Sequence, residues 1–340
     1  MTAPTTDSQM YQTIHRQPDD LRRLLGEGWE QAVAGADLVS LARRVVLVGT
    51  GTSWHAAMVG GWLLRAAGAD ARAIHSFDFA TYPDNFPITI DDAVIVMAHT
   101  GVTSYSGFAL RRAVNAGATV LSVGSATAEH PGSHLVLRTT TPETSAAYTA
   151  SHLAAMTVLA QVATEIGERR DVPATTGFRA ALTALPDAVS TVLARQAEVT
   201  PVAHEAIGRR IYAAGAGPNE ATALEVVIKV REAAYGWIDA LAAEQFLHGP
   251  MCVVNPDDLA IFVHVPGAAA RRVAEIAAVA KAMGARLWIV GEQVLTAPDA
   301  LTFALPPMPE LLSPLTAVVP MQLFAYELAA AKGVNPDTFR

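Results

Sequence analysis

Two short apolar runs in this chain each lead into a loop of glycine and hydroxyl residues. Val45-Val46-Leu47-Val48 runs into Gly49-Thr50-Gly51-Thr52-Ser53, and Val94-Ile95-Val96-Met97 runs through Ala98-His99 into Thr100-Gly101-Val102-Thr103-Ser104. A short β-branched run bounded by glycine reads as a buried parallel strand. A loop of backbone N–H groups and hydroxyls that opens a helix offers a cradle for phosphate. Together the two stretches predict one anion site assembled from two strand ends, with no fixed charge to hold a metal.

The rest of the chain continues this alternation. Helical spacing of Leu21, Leu24, Leu25 and Trp29 predicts helices between Tyr11 and Arg43, packed on the first domain. Strands are expected at 45–48, 71–75, 93–98 and 119–123, with helices at 54–67, 104–116 and 151–167. After a polar, proline-containing stretch at 169–176 and a linking helix near 177–206, the pattern restarts. Ile211-Tyr212-Ala213-Ala214-Gly215-Ala216-Gly217-Pro218 precedes a helix at 219–235, with strands at 259–264 and 286–291, a helix at 268–283 and a last helix at 316–332. Strands alternating with helices predict parallel sheets covered on both faces. The expected organisation is an N-terminal helical segment, 1–43, followed by two similar nucleotide-fold-like domains, 44–175 and 176–340.

Composition narrows the partners. Of the 340 residues, 51% are hydrophobic and 16% charged, as in a tightly packed α/β protein with apolar surface to share between subunits. A net charge of −8 leaves no basic stripe for a nucleic-acid backbone. The lone Cys252 can form neither an internal disulfide nor a structural zinc site, which favours a reducing cytoplasm. No export signal opens the chain, and no uninterrupted apolar run is long enough to span a bilayer, so no membrane partner is expected.

Neither glycine-rich turn is a dinucleotide fingerprint, because Trp54 and Glu220 stand where the third glycine would be, and no Gly-Lys-Ser/Thr makes a P-loop. Serine and threonine in either loop alone read as helix caps more readily than as ligand groups. Two such loops on one sheet shift the balance, since ligands of open α/β sheets sit at the carboxyl ends of strands. Glu225, Lys229 and Glu232 share one helix face by their spacing, which on periodicity alone reads as an exposed salt-bridged face, with Leu224, Val227 and Ile228 turned to the core. His248, before Gly249-Pro250, sits in a defined turn suited to proton transfer, unlike the lone His15, His75 and His264.

From about Val45 to Pro336 the sequence resembles the sugar isomerase (SIS) family, in particular the paired isomerase domains of glucosamine-6-phosphate synthase and related amino-sugar-phosphate deaminases and deglycases. Gly51-Thr52-Ser53-Trp54-His55-Ala56 resembles the family's first substrate loop and Thr100-Gly101-Val102-Thr103 its second; Ala223-Leu224-Glu225 through Lys229 to Arg231-Glu232 resembles its catalytic helix, and His248-Gly249-Pro250 its signature turn. The resemblance implies two three-layer αβα domains with parallel, flavodoxin-like sheets. It implies that Gly51, Thr52, Ser53, His99, Thr100, Gly101, Thr103, Ala146 and Thr149 bind a sugar phosphate. Glu232, with Lys229, would move a proton between C1 and C2, and His248 would assist ring opening, reaching into a neighbouring subunit of a homodimer. No metal or organic cofactor is implied.

The chain departs from the family pattern at Ala98, His99 and Val102 of the second loop, and at Tyr148-Thr149-Ala150, where the family has Ser-Thr-Lys. Beyond Asn335-Pro336-Asp337 it lacks the family's tail lysine, and no glutaminase cysteine follows Met1. The expectation is therefore an isomerase or deaminase acting on a hexosamine 6-phosphate. A sugar-amine deglycase and a non-catalytic sugar-phosphate sensor are the alternatives.

Overall fold

The computed structural model describes residues 7–101 and 104–338. It contains two five-stranded, all-parallel sheets. The first is built from β1 (Arg44–Gly49), β2 (Ala71–His75), β3 (Asp92–Met97), β4 (Thr119–Gly124) and β5 (Leu135–Arg138), in the order β2-β1-β3-β4-β5. The second comprises β6 (Ile211–Gly215), β7 (Ile238–Ala242), β8 (Leu259–His264), β9 (Arg286–Gly291) and β10 (Leu301–Phe303), in the order β7-β6-β8-β9-β10. Both orders are the same doubly wound 2-1-3-4-5 arrangement, whose direction reverses between the first and third strands. Every residue of β3, β6 and β8 is buried, as strands covered on both faces require. The expected strands all form, and β5, β7 and β10 add a short edge to each pattern.

Two compact units make up the chain. One holds residues 17–143 and 150–186, around the first sheet; the other holds residues 7–16, 144–149 and 187–338, around the second. The division falls inside the helix Phe178–Leu193 rather than in the polar stretch at 169–176. The N-terminal helices are correspondingly shared. Gln17–Glu27 and Trp29–Ser40 pack on the long helix Ala150–Arg169 of the first-sheet unit, whereas Gln9–His15, expected on the first domain, belongs to the second-sheet unit. There Asp337 accepts both Gln9 N and Met10 N at 2.8 Å, and Tyr11 meets Tyr326 with ring centroids 5.4 Å apart. The C-terminal stretch Glu310–Ala331 is long and apolar enough to cross a membrane by composition, but it is almost wholly buried as a core helix.

The two sheets repeat one another in detail. At the start of β1, Arg44 grips the buried Asp92 with two parallel bonds, Nε to Oδ1 at 3.0 Å and Nη2 to Oδ2 at 2.8 Å. At the start of β6, Arg210 grips Asp258 through the same atoms at 3.0 and 2.9 Å. Each aspartate also accepts the backbone N–H three residues earlier, of Thr89 and of Asn255. Each arginine reaches the carbonyl five residues before its aspartate, of Pro87 and of Val253. Such matched contacts point to duplication of one domain.

The first clamp has a pH signature. The Arg44 guanidinium, helped by Thr89, holds the Asp92 carboxyl at about 2, against an ordinary value near 4. A folded-state value below the unfolded one stabilises at neutral pH, and that contribution fades as pH falls through 4 toward 2. Asp92→Asn is expected to cost about 2 to 3 kcal/mol at pH 7 and clearly less at pH 3, measured by urea unfolding at both pH values.

Candidate functional site

The strand-to-helix turns after β1 and β6 share one geometry. A Cβ on Gly49 would lie 2.5 Å from the Ser53 carbonyl carbon, and one on Gly215 2.1 Å from the Asn219 carbonyl oxygen, so only glycine lets the helix start so close to the strand end. Two residues on, Gly51 and Gly217 both turn the chain at φ +57°. The Gly-x-Gly signature is thus a turn requirement repeated twice. Only the first copy carries hydroxyls: Thr52 and Ser53 open the helix Thr52–Ala66, where Asn219 begins the helix Asn219–Ala234.

In the first-sheet unit, β1 pairs directly with β3, so Gly51, Thr52 and Ser53 stand at the end of one strand and His99, Thr100 and Gly101 beyond the end of its neighbour. This is the crevice where the strand order reverses. Thr52 and Ser53 are half-buried and Thr100 is exposed, which leaves them accessible to a ligand. Thr103 and Val102 lie outside the described residues. His99 is tied into the protein: its Nε2 accepts the Glu143 N–H at 3.4 Å and its carbonyl accepts Ser125 N at 2.8 Å. Glu143 in turn accepts Ser151 N at 2.5 Å, placing a carboxylate of the protein at the start of the helix Ala150–Arg169. Burial pushes the nearby His130 down to about 4, its position fixed against Gly124 at the end of β4.

In the second-sheet unit the charged helix face inverts the expected exposed arrangement. Glu225 and Lys229 are buried, while Leu224, Val227 and Ile228 are only half-buried. Lys229 Nζ lies 3.5 Å from Glu225 Oε1 and donates to Glu232 Oε2 at 2.8 Å. Periodicity places these residues on one face correctly; it misjudges which face turns inward, because an ion pair satisfied at its core can be buried. Glu232 is about a third exposed, and its Oε1 accepts no hydrogen bond among the described residues.

The segment 144–149 belongs to the same unit. Thr149, expected from the resemblance to contact substrate, is fully buried, donates its hydroxyl to Thr13 at 2.9 Å, and offers its carbonyl to Gln322 Nε2 at 3.2 Å. Its side chain serves as a core contact of this unit. Ala146 lies on the same short segment, half-buried. His248 is exposed, and its Nε2 sits 3.0 Å from Glu244 Oε1. Glu244 is also held by Arg272, Nε to Oε2 at 2.6 Å and Nη2 to Oε1 at 2.7 Å. Arg272 first, then His248, hold the Glu244 carboxyl at about 2. Glu244 was legible in sequence as the residue four before His248; Arg272 arrives from another helix, Ala270–Ala282, and carried no local signal. No group of three or more metal-ligating side chains occurs among the described residues.

Comparison with known proteins gives this arrangement a context. Residues 208–332 match the SIS domain model. Glutamine–fructose-6-phosphate aminotransferase (isomerizing) of Pyrococcus horikoshii is 26% identical over 333 residues, covering 96% of this chain and 56% of the relative, so the chain spans little more than half the length of that curated protein. Among solved structures, the C-terminal domain of glucosamine-fructose-6-phosphate aminotransferase from Francisella tularensis superposes with a TM-score of 0.87 at 17% identity, covering 97% of this chain and 98% of that one. Glucosamine-6-phosphate deaminase from Thermotoga maritima superposes with a TM-score of 0.75 at 18% identity, covering 97% of each chain. Residues 208–332 thus match a SIS domain, and the chain has the double-SIS fold, resembling the C-terminal part of the glutamine–fructose-6-phosphate aminotransferases.

Proposed function

We propose that the protein is a phosphosugar enzyme that moves a proton between C1 and C2 of a hexosamine 6-phosphate, as an isomerase or deaminase. One observation carries the reading. Glu232 is fixed by the buried Lys229 through one carboxylate oxygen and keeps the other free, which is what a base that removes and returns one proton needs. Gly51, Thr52, Ser53, Thr100, Gly101 and Thr103 supply the phosphate cradle. His248 serves ring opening in a homodimer, and the cytoplasm is the compartment. The activities of the aminotransferase and deaminase relatives support the substrate class.

Incubating the purified chain in D2O with glucosamine 6-phosphate, and with fructose 6-phosphate with and without ammonia, tests the reading. Incorporation of deuterium at C2 of the aldose, or at C1 of the ketose, with interconversion or ammonia release is expected. Absence of exchange on every sugar phosphate would refute it. A sensor without turnover is the second reading, favoured by Ala150 where the family has lysine and by His99 being held by Glu143. It predicts a raised melting temperature with sugar phosphate and no exchange.

A further inference from the structure

His248 ends the short helix Ala243–Leu247, and Gly249, at φ +109°, turns the chain away immediately after it. A side chain so exposed at a turn has many rotamers open to it, yet here it is anchored. Glu244 Oε1 is shared between His248 Nε2 and Arg272 Nη2, while Oε2 takes Arg272 Nε. Arg272 is itself braced by Glu275, whose Oε2 accepts Nη1 at 3.1 Å. The carboxylate is therefore gripped by a two-pronged guanidinium before it meets the imidazole, and it cannot swing to follow the ring. An acceptor-only carboxylate facing Nε2 requires that nitrogen to carry the proton, and this leaves Nδ1 with the lone pair of the neutral ring.

From this geometry we infer that Glu244 and Arg272 are positioning residues that fix His248 in its Nε2–H tautomer and present Nδ1 as the nitrogen that exchanges a proton with the sugar. The inference rests on the reading of His248 as the ring-opening group. In that step the C1–O5 bond breaks as C1–O1 becomes a carbonyl. The proton leaving O1 passes to Nδ1 and from Nδ1 to O5, so the imidazole ends as it began. Swapping the tautomer would present a nitrogen already bearing a proton, unable to accept one from O1.

The test uses the full chain labelled with 15N-histidine, and reads His248 by long-range 1H–15N correlation in its neutral form, assigned by His248→Gln. The wild type is expected to show Nε2–H. Glu244→Ala should shift the signals to a mixture of tautomers, and Arg272→Ala should do so in part. Glu244→Gln, which keeps an oxygen for His248 but weakens the arginine grip, should lie between. On glucosamine 6-phosphate, Glu244→Ala should lower kcat roughly ten- to a hundredfold with KM little changed, and Arg272→Lys, which keeps charge without the fork, should stay well below wild type. An Nδ1–H tautomer in the wild type, or spectra unmoved by Glu244→Ala, would overturn the inference. A wild-type chain that turns over no sugar phosphate would refute the functional reading separately, since the tautomer measurement needs no substrate.

Discussion

Glu232→Gln is expected to lower turnover of a hexosamine 6-phosphate by roughly a thousandfold, the middle of the range for removing a general base. The amide keeps the shape of the side chain and an oxygen for Lys229, so the buried Lys229–Glu225 pair stays in place and the cost in stability should be about 1 kcal/mol or less. Substrate should still bind, since the phosphate is held by other groups; the loss belongs in kcat rather than KM. The sharpest readout is deuterium exchange at C2, which reports the proton transfer without any later step. Exchange at the wild-type rate in Glu232→Gln would place the base elsewhere.

Lys229→Met carries the largest expected effect on stability. The ammonium is buried 3.5 Å from the buried Glu225 and 2.8 Å from Glu232, so its removal takes a cation away from a carboxylate in the core. Breaking one partner of a buried pair costs about 3 to 5 kcal/mol, whereas replacing both partners by apolar groups of similar volume is often near neutral. Thermal unfolding of Lys229→Met should therefore begin at a markedly lower temperature. The double variant Lys229→Met with Glu225→Leu should recover a large part of the loss despite removing more polar atoms. A double variant no better than the single one would show that Glu225 is not the group Lys229 compensates. Activity should fall in both, because Glu232 loses the contact that fixes it.

The central strands were legible because each is a short apolar run, several of them ending in glycine, as β1, β4, β6 and β9 do. The short edges were not: Ile238-Asp239-Ala240-Leu241-Ala242 mixes buried and exposed positions, and Leu301-Thr302-Phe303 is too brief to show a period. Chain order points the N-terminal helix Gln9–His15 to the wrong unit because its anchor, Asp337, lies at the far end of the chain. Spacing correctly groups Glu225, Lys229 and Glu232, but a helical wheel cannot say that Glu225 and Lys229 face inward as a buried ion pair. Thr149 and His99 show the converse: a residue type suited to a ligand can be committed to Thr13 or Glu143 instead. Pairwise partners across elements, such as Arg272 with Glu244, leave no trace in local sequence.

The paired turns after β1 and β6 separate two tasks that most binding loops merge. Backbone shape rests on the glycines, which are the same in both copies, whereas the chemical content rests on the residues just beyond, Thr52-Ser53 in one and Pro218-Asn219 in the other. A doubled scaffold of this kind lets the side chains of one copy change while the glycines that set the turn, and with them the foldability of both copies, stay the same.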